Sequence, residues 1–207
     1  PRLFLIQDGR VANAADFFGR HSVLDKNDRY PLTPWKYFDQ LPSLPMKKHL
    51  SQKPSSQIQG VEIKNLTVHA DERGHLMEIL RRDESFFRKF GQIYLTTAYP
   101  QVTKAWHYHR TQEDNFCVVR GMMKIVCYDN RKDSPTHGCV NEFFAGDRHP
   151  MVVKIPPGVY HGFKCISENE ALVINLITEP YHPKDPDEFR LPPDTPKIPY
   201  DWSRKDG

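Results

Sequence analysis

The chain has 207 residues, enough for one domain of ordinary size plus an extension, and enough to bury a core without disulfide or metal staples. Its 29 Lys and Arg against 26 Asp and Glu leave a net charge of +3 with no basic block, which excludes the cationic stripe of a nucleic-acid binder and suits a small anionic ligand. The apolar runs are far too short to span a bilayer, so no membrane partner is expected.

Proline divides the chain into zones: six fall in residues 1 to 55, five in 61 to 179 and seven in 180 to 207, so the middle zone is the regular one. The opening Pro1-Arg-Leu-Phe-Leu-Ile6 lacks the apolar centre and cleavage site of a signal peptide, and since Pro1 is not a natural start, sequence upstream of it is expected. Residues 1–59 read as an irregular, partly helical extension, with a short helix over Ala12 to Arg20. Tyr30-Pro-Leu-Thr-Pro-Trp35 and Leu41-Pro-Ser-Leu-Pro45 can continue neither a helix nor a central strand. Lys53 to Gly60 reads as a linker, and Phe17, Phe18, Trp35, Tyr37 and Phe38 before it argue that the extension packs on something.

From Val61 onward, short β-branched and aromatic runs alternate with turn signals, the pattern of an all-β sandwich or barrel. Strands are expected near Val61 to His69, His75 to Arg81, Gln92 to Ala98, Lys104 to Tyr108, Asn115 to Val119, Met122 to Asp129, Val140 to Phe144, Met151 to Ile155, Gly162 to Ile166 and Leu172 to Thr178. The reading is a barrel over residues 60–180 and a proline-rich tail, 181–207, packed on it. Cys117, Cys127, Cys139 and Cys165 form no C-x-x-C pair and read as free thiols, so a cytoplasmic location is expected.

The chemistry concentrates in Lys104-Ala-Trp-His107-Tyr-His109-Arg-Thr-Gln-Glu113-Asp114 and, further on, Pro156-Pro-Gly-Val-Tyr-His161. Period-two alternation puts His107 and His109 on one face of a strand with Tyr108 on the other. Two uses are open. His107 can serve as a proton-transfer base on a sugar, or His107, His109 and His161 can hold a metal with a carboxylate from Asp114 or Glu113, a set that suits Mn, Fe, Ni or Zn without choosing among them. G-x-G-x-x-G, Walker and G-x-S-x-G patterns are absent.

The same residues carry a resemblance. Asp71-Glu-Arg-Gly74, Lys104-Ala-Trp-His107-Tyr, Asp129 to Arg131, Asp133 to Gly138, Ile155-Pro-Pro-Gly-Val-Tyr-His161-Gly-Phe and Thr178-Glu-Pro-Tyr-His-Pro183, in this order, resemble the dTDP-4-dehydrorhamnose 3,5-epimerase family over residues 61–202. The resemblance implies a cupin jelly-roll barrel, a homodimer, no metal or other cofactor, and a nucleotide-diphosphate sugar as partner. It implies that His107 abstracts the acidic proton beside a C4 ketone and that His161 donates toward the developing enolate oxygen. It puts Arg73, Glu78, Gln92, Lys104 and Asn175 on substrate-contacting positions, with Arg73 facing the diphosphate, across a dimer interface; Tyr181, close in sequence to the last of these but on a different position of the pattern, is expected to bind substrate as well. Lys104 replaces an arginine of the family, keeping the charge but not the bidentate fork.

The sequence departs from this pattern at functional positions. The family's lysine falls on Asp114, its tyrosine acid on Asn175, the glutamine after His-x on His109, and a further aspartate on Ile125. The aspartate that orients the catalytic histidine lies beyond Trp202, where only Asp206 can stand in. Two readings of Asp114 follow: a metal ligand that replaces the lysine's role, or a partner for Arg110 or Lys104 in an ordinary ion pair. The leading expectation is an isomerase acting on an NDP-4-keto-6-deoxyhexose, inverting one carbon because Asn175 cannot donate a proton. The alternatives are a metal-dependent cupin isomerase, lyase or oxygenase, and a catalytically silent sugar-nucleotide-binding protein.

Overall fold

A computed structural model describes residues 4–7, 10–13 and 56–205 of the chain. The chain separates into two compact units, Pro1–Lys47 and Lys48–Gly207. In the first, β1 (Phe4–Gln7) and β2 (Arg10–Asn13) form an antiparallel hairpin. Ala12 and Asn13, expected to start a helix, lie in β2 instead, and the rest of that expected helix falls outside the described residues.

The second unit is all-β, with no helix among the described residues. Its strands are β3 (Glu62–Asn65), β4 (His69–Asp71), β5 (Gly74–Leu76), β6 (Gln92–Ala98), β7 (Thr103–Tyr108), β8 (Asp114–Arg120), β9 (Met122–Asp129), β10 (Val140–Gly146), β11 (Met151–Ile155), β12 (Val159–Cys165), β13 (Ala171–Ile177) and β14 (Phe189–Arg190). Two five-stranded antiparallel sheets result, with orders β10-β9-β12-β7-β14 and β3-β11-β8-β13-β6, and β4-β5 makes a separate hairpin. Apart from the consecutive pair β9 and β10, neighbours in each sheet are not consecutive in the chain, the jelly-roll arrangement of two packed sheets.

Alternation decides which side chains meet between the sheets. Met123, Ile125, Cys127, Phe163 and Cys165 of the first sheet bury against Phe116, Val118, Val153, Ile155 and Val173 of the second. The opposite face of the first sheet is equally apolar at Trp106, Val126 and Tyr128, and the tail covers it with Ile198 and Trp202. All four cysteines are buried and free. The β8–β9 turn needs Gly121, whose φ is +71 and where a Cβ would stand 2.9 Å from that of Ala171.

At the end of β9 the fully buried Asp129 carboxylate takes hydrogen bonds from Arg131 Nε (2.8 Å), Ser134 Oγ (2.6 Å) and Thr136 Oγ1 (2.7 Å). Removing it strands a cation and two hydroxyls. Asp129→Ala is therefore expected to cost about 3 kcal/mol or more in urea unfolding, and a loss under about 0.5 kcal/mol would show that the cluster contributes little.

Candidate active site

The histidine motifs meet at one end of the sandwich. β12 lies beside β7 in the first sheet, with His161 opposite His107 and their ring centroids 4.1 Å apart. His109 follows β7 directly, its ring 5.7 Å from that of His107. Across the interior, Asp114 opens β8 on the second sheet. One ligand atom from each of His107, His109, Asp114 and His161 lies within 4.8 Å of the other three. The turn Pro156-Pro-Gly158 is tied to this end of the sandwich by Gly158 N–H, which donates to the His109 carbonyl at 2.7 Å.

Asp114 is 1% exposed, so its charge must be met inside the protein. His161 Nε2 stands 2.7 Å and His109 Nε2 3.3 Å from its Oδ2, while Gln112 Nε2 donates to Oδ1 at 2.6 Å. Burial alone would raise the carboxyl's pKa, but the two imidazoles outweigh it and hold Asp114 well below the usual carboxylate range. Burial likewise opposes charging His109, and Asp114 reverses the balance, so that imidazole is raised. His107 goes the other way, held well below the ordinary imidazole range by desolvation and by His161 beside it.

The Nδ1 atoms settle which nitrogens face the carboxylate. Those of His161 and His109 lie against the carbonyls of Val159 (3.0 Å) and Asp187, so each Nδ1–H donates there and each Nε2 points at Asp114. In neutral rings both Nε2 atoms carry lone pairs, and an acceptor aimed at an acceptor needs a proton or a cation between them. Backbone carbonyls holding the outer nitrogens of inward-facing imidazoles is also how metal-ligating histidines are oriented. The donor set therefore fits a divalent metal.

Above the cluster opens a cleft of about 480 Å³, lined by Gln92, Tyr94, His109, Tyr181, Asp187 and Arg190 among others. His107, half-buried, and His161, buried, pack on Phe116 and do not line this cleft.

The sequence profile of the polysaccharide biosynthesis C-terminal domain matches residues 69–189, more than half of the chain. The chain belongs to the polysaccharide biosynthesis C-terminal domain family. Within it, the chain is 39% identical over 146 residues to the spore coat polysaccharide biosynthesis protein SpsL of Bacillus subtilis, covering 70% of this chain and 97% of SpsL. It is 41% identical over 148 residues to the probable low-salt glycan biosynthesis epimerase Agl13 of Haloferax volcanii, covering 70% and 95%. Among solved structures it resembles a dTDP sugar isomerase from Desulfovibrio desulfuricans, with 32% identity, a TM-score of 0.68 and coverage of 72% and 94%. The resemblance to the RmlC-like epimerases and their cupin fold is thereby borne out.

In this member of the family the expected site residues fall into two groups. His107, His109, Asp114 and His161 come together, and Gln92 and Tyr181 meet in the cleft, where Gln92 Oε1 accepts the Tyr181 backbone N–H at 2.8 Å. Asn175 is fully buried behind Tyr94. Arg73, Glu78 and Lys104 do not line the cleft: Arg73 pairs with Asp71 on the exposed β4–β5 turn, Glu78 pairs with Arg81, and Lys104 Nζ donates to Thr96 at 3.0 Å. Two expectations are corrected. Glu113 points away from the cluster, toward Arg88 at 3.6 Å, because neighbouring strand residues face opposite ways. Asp114 makes its bonds to histidines and Gln112, in place of an ion pair with Arg110 or Lys104. Asp206 lies outside the described residues.

Tyr94, Gln112, Asp187 and Arg190 were not singled out in the sequence. Tyr94 had a readable signal, the i, i+2 relation to Gln92. Asp187 had none, because it works across the fold: its carboxylate accepts Arg110 N–H and Thr111 N–H at 2.8 Å each and Thr111 Oγ1–H at 2.7 Å, pinning the tail to the loop after His109. Burial opposes ionisation more than any single bond favours it, yet the bonds together prevail and lower its pKa to about 2. A depressed folded-state value contributes stability above the unfolded value of about 3.9 and loses it as pH falls toward about 2. Amide exchange at residues 110–112 should therefore speed up relative to the core through that window in the wild type, while Asp187→Asn should show fast exchange there at neutral pH and little further change on acidification.

Proposed function

We propose that the protein is a nucleotide-sugar epimerase that acts on an NDP-4-keto-6-deoxyhexose, removing a proton beside the ketone with His107 as base and His161 as its electrostatic partner. The observation that carries this reading is the pairing of His107 and His161 in a cluster with His109, which itself lines a cleft of sugar-nucleotide size, in a chain whose relatives are named for glycan and polysaccharide biosynthesis. A base must hold a free lone pair at working pH. Desolvation and the adjacent His161 keep His107 neutral, which meets that need. A solved relative bears the name dTDP sugar isomerase, which supports a thymidine nucleotide. Arg190 is a cation lining the cleft and suits the diphosphate. Arg73 would reach a site only from a partner subunit.

A homodimer is part of this reading, with Arg73 offered across the interface. Support comes from the outward face of β6, an edge strand, where Ile93 and Leu95 are 52% and 54% exposed. A cytoplasmic location is proposed on the four free thiols. No helix among the described residues is long and apolar enough to cross a membrane.

Inversion is proposed at one carbon, C3 or C5, since the family's tyrosine position is held by Asn175 and a donor standing elsewhere in the cleft would not serve both carbons from that position. In deuterium oxide, dTDP-4-keto-6-deoxyglucose should take up label at a single carbon, and His107→Ala should slow the reaction by about 10² to 10⁴. Label and inversion at both carbons would overturn the single-carbon outcome, and an unimpaired His107→Ala would overturn the assignment of the base.

A second reading is favoured by one observation, the convergence of two imidazole Nε2 atoms on the Asp114 carboxylate with both Nδ1 atoms committed to carbonyls. His107, His109, Asp114 and His161 would hold a divalent metal, which supplies Lewis-acid polarisation of a ketone when bound. Under this reading elemental analysis of protein purified without chelator finds stoichiometric metal, and stripping it abolishes turnover. Metal-free protein with full turnover would end it.

A further inference from the structure

Asn175 leaves an inverting enzyme short of a proton donor, and the fold places one beside it. β13 and β6 pair so that Asn175, fully buried, and Tyr94, 37% exposed at the cleft, are cross-strand neighbours on the same face of the sheet. Asn175 Nδ2 lies 2.8 Å from Tyr94 Oη, and Asn175 Oδ1 accepts the Asn115 backbone N–H at 3.0 Å. The second contact fixes the amide's orientation, because only its oxygen can take a backbone N–H. The amide nitrogen therefore donates to the phenol oxygen, and the phenol's own O–H is left to donate elsewhere. Its open direction is the cleft, which Tyr94 lines with His109 and Arg190.

Position completes the geometry. Tyr94 belongs to the second sheet and His107 to the first, so the phenol and the imidazole approach the space between the sheets from opposite sides. We propose that Tyr94 is the general acid of this site, delivering its hydroxyl proton to the carbon from which His107 removes one, on the opposite face of the ring. The proposal rests on the epimerase reading above. Burial and the negative charge of Asp114 raise the phenol to about 12, which keeps the proton on Tyr94 at neutral pH.

The step balances without a co-reactant. His107 takes the hydrogen beside the ketone, and the C–H electron pair becomes the enolate. The enolate pair then forms a new C–H bond with the Tyr94 proton, the O–H bond breaks, and a phenolate remains next to the Asn175 amide donor. The phenolate recovers a proton by way of cleft water while the His107 imidazolium releases one, so the reaction consumes none. Re-protonation by His107 alone would return label on the original face, giving exchange without inversion.

That difference is the test. With dTDP-4-keto-6-deoxyglucose in deuterium oxide, exchange is followed by mass spectrometry and inversion by NMR for wild type, Tyr94→Phe and the reciprocal pair Tyr94→Asn with Asn175→Tyr. Tyr94→Phe should lose inversion by about 10²-fold or more while exchange with retention stays within about tenfold of wild type. The reciprocal pair, which moves the phenol one cross-strand position, should recover inversion relative to Tyr94→Phe. If Tyr94→Phe fails to fold, replacement of Tyr94 by 3-fluorotyrosine keeps the shape and should move the alkaline loss of inversion to lower pH without moving exchange. Equal loss of exchange and inversion, unchanged inversion in Tyr94→Phe, or an alkaline limb indifferent to fluorination would each overturn the role of Tyr94. Wild-type protein that neither exchanges nor inverts would overturn the epimerase reading itself, and the role of Tyr94 with it.

Discussion

One buried carboxylate organises the functional end of this molecule. Asp114 stands on the second sheet, and the imidazole that meets it at 2.7 Å, His161, stands on the first. A carboxylate stripped of water costs several kcal/mol unless it is matched in charge and hydrogen bonds, so the sheets cannot slide or separate here without exposing an unmet charge. The apolar layer deeper in the sandwich is non-directional and tolerates small shifts of one sheet over the other. The carboxylate–imidazole contacts do not, and they set the distance at which His107 faces its neighbours.

The requirement propagates outward. His109 contacts Asp114 through Nε2 only because its Nδ1 is held by the Asp187 carbonyl, and Asp187 in turn takes up the backbone of residues 110–112 with its carboxylate. The tail thus closes the edge of the first sheet as β14 and orients a site residue in the same stroke. The second sheet contributes differently. On one face of it Gln92, Tyr94 and the buried Asn175 form a polar strip that runs to the cleft wall, and each has a hydrogen-bond partner that fixes it. A polar strip at the mouth of a sandwich marks the part given over to binding.

The barrel strands were legible because alternation and turn residues are local properties. Gln92–Ala98, Met122–Asp129 and Met151–Ile155 have the expected bounds, and the other barrel strands differ by a few residues at their ends, but the strand expected from His75 to Arg81 stops at Leu76, where it pairs only with β4 in a separate hairpin. The stretch expected as one strand from Val61 to His69 is broken near Leu66, whose side chain packs with Cys117 and Val152 while its N–H leaves the ladder for the Pro150 carbonyl. β14 was invisible, since two residues have no period and pair only because the tail returns to β7. Arg73 and Lys104 matched motif positions, yet motif order carries no distances, and in this fold one sits on an exposed hairpin and the other bonds Thr96.

The amino-acid sequence by itself determined the sandwich and the inward direction of His107 and His109, because each follows from side-chain type and a two-residue period, and set against the family it resembles it showed the reversal of charge at position 114. Only the tertiary structure decided what that reversal means. It brought His161 from 47 residues away onto Asp114, turned Glu113 aside, laid Asp187 under His109 and set Tyr94 against Asn175. Those pairings depend on which strands become neighbours and in what register, a choice made by the burial of the whole chain at once and therefore absent from any local stretch of it.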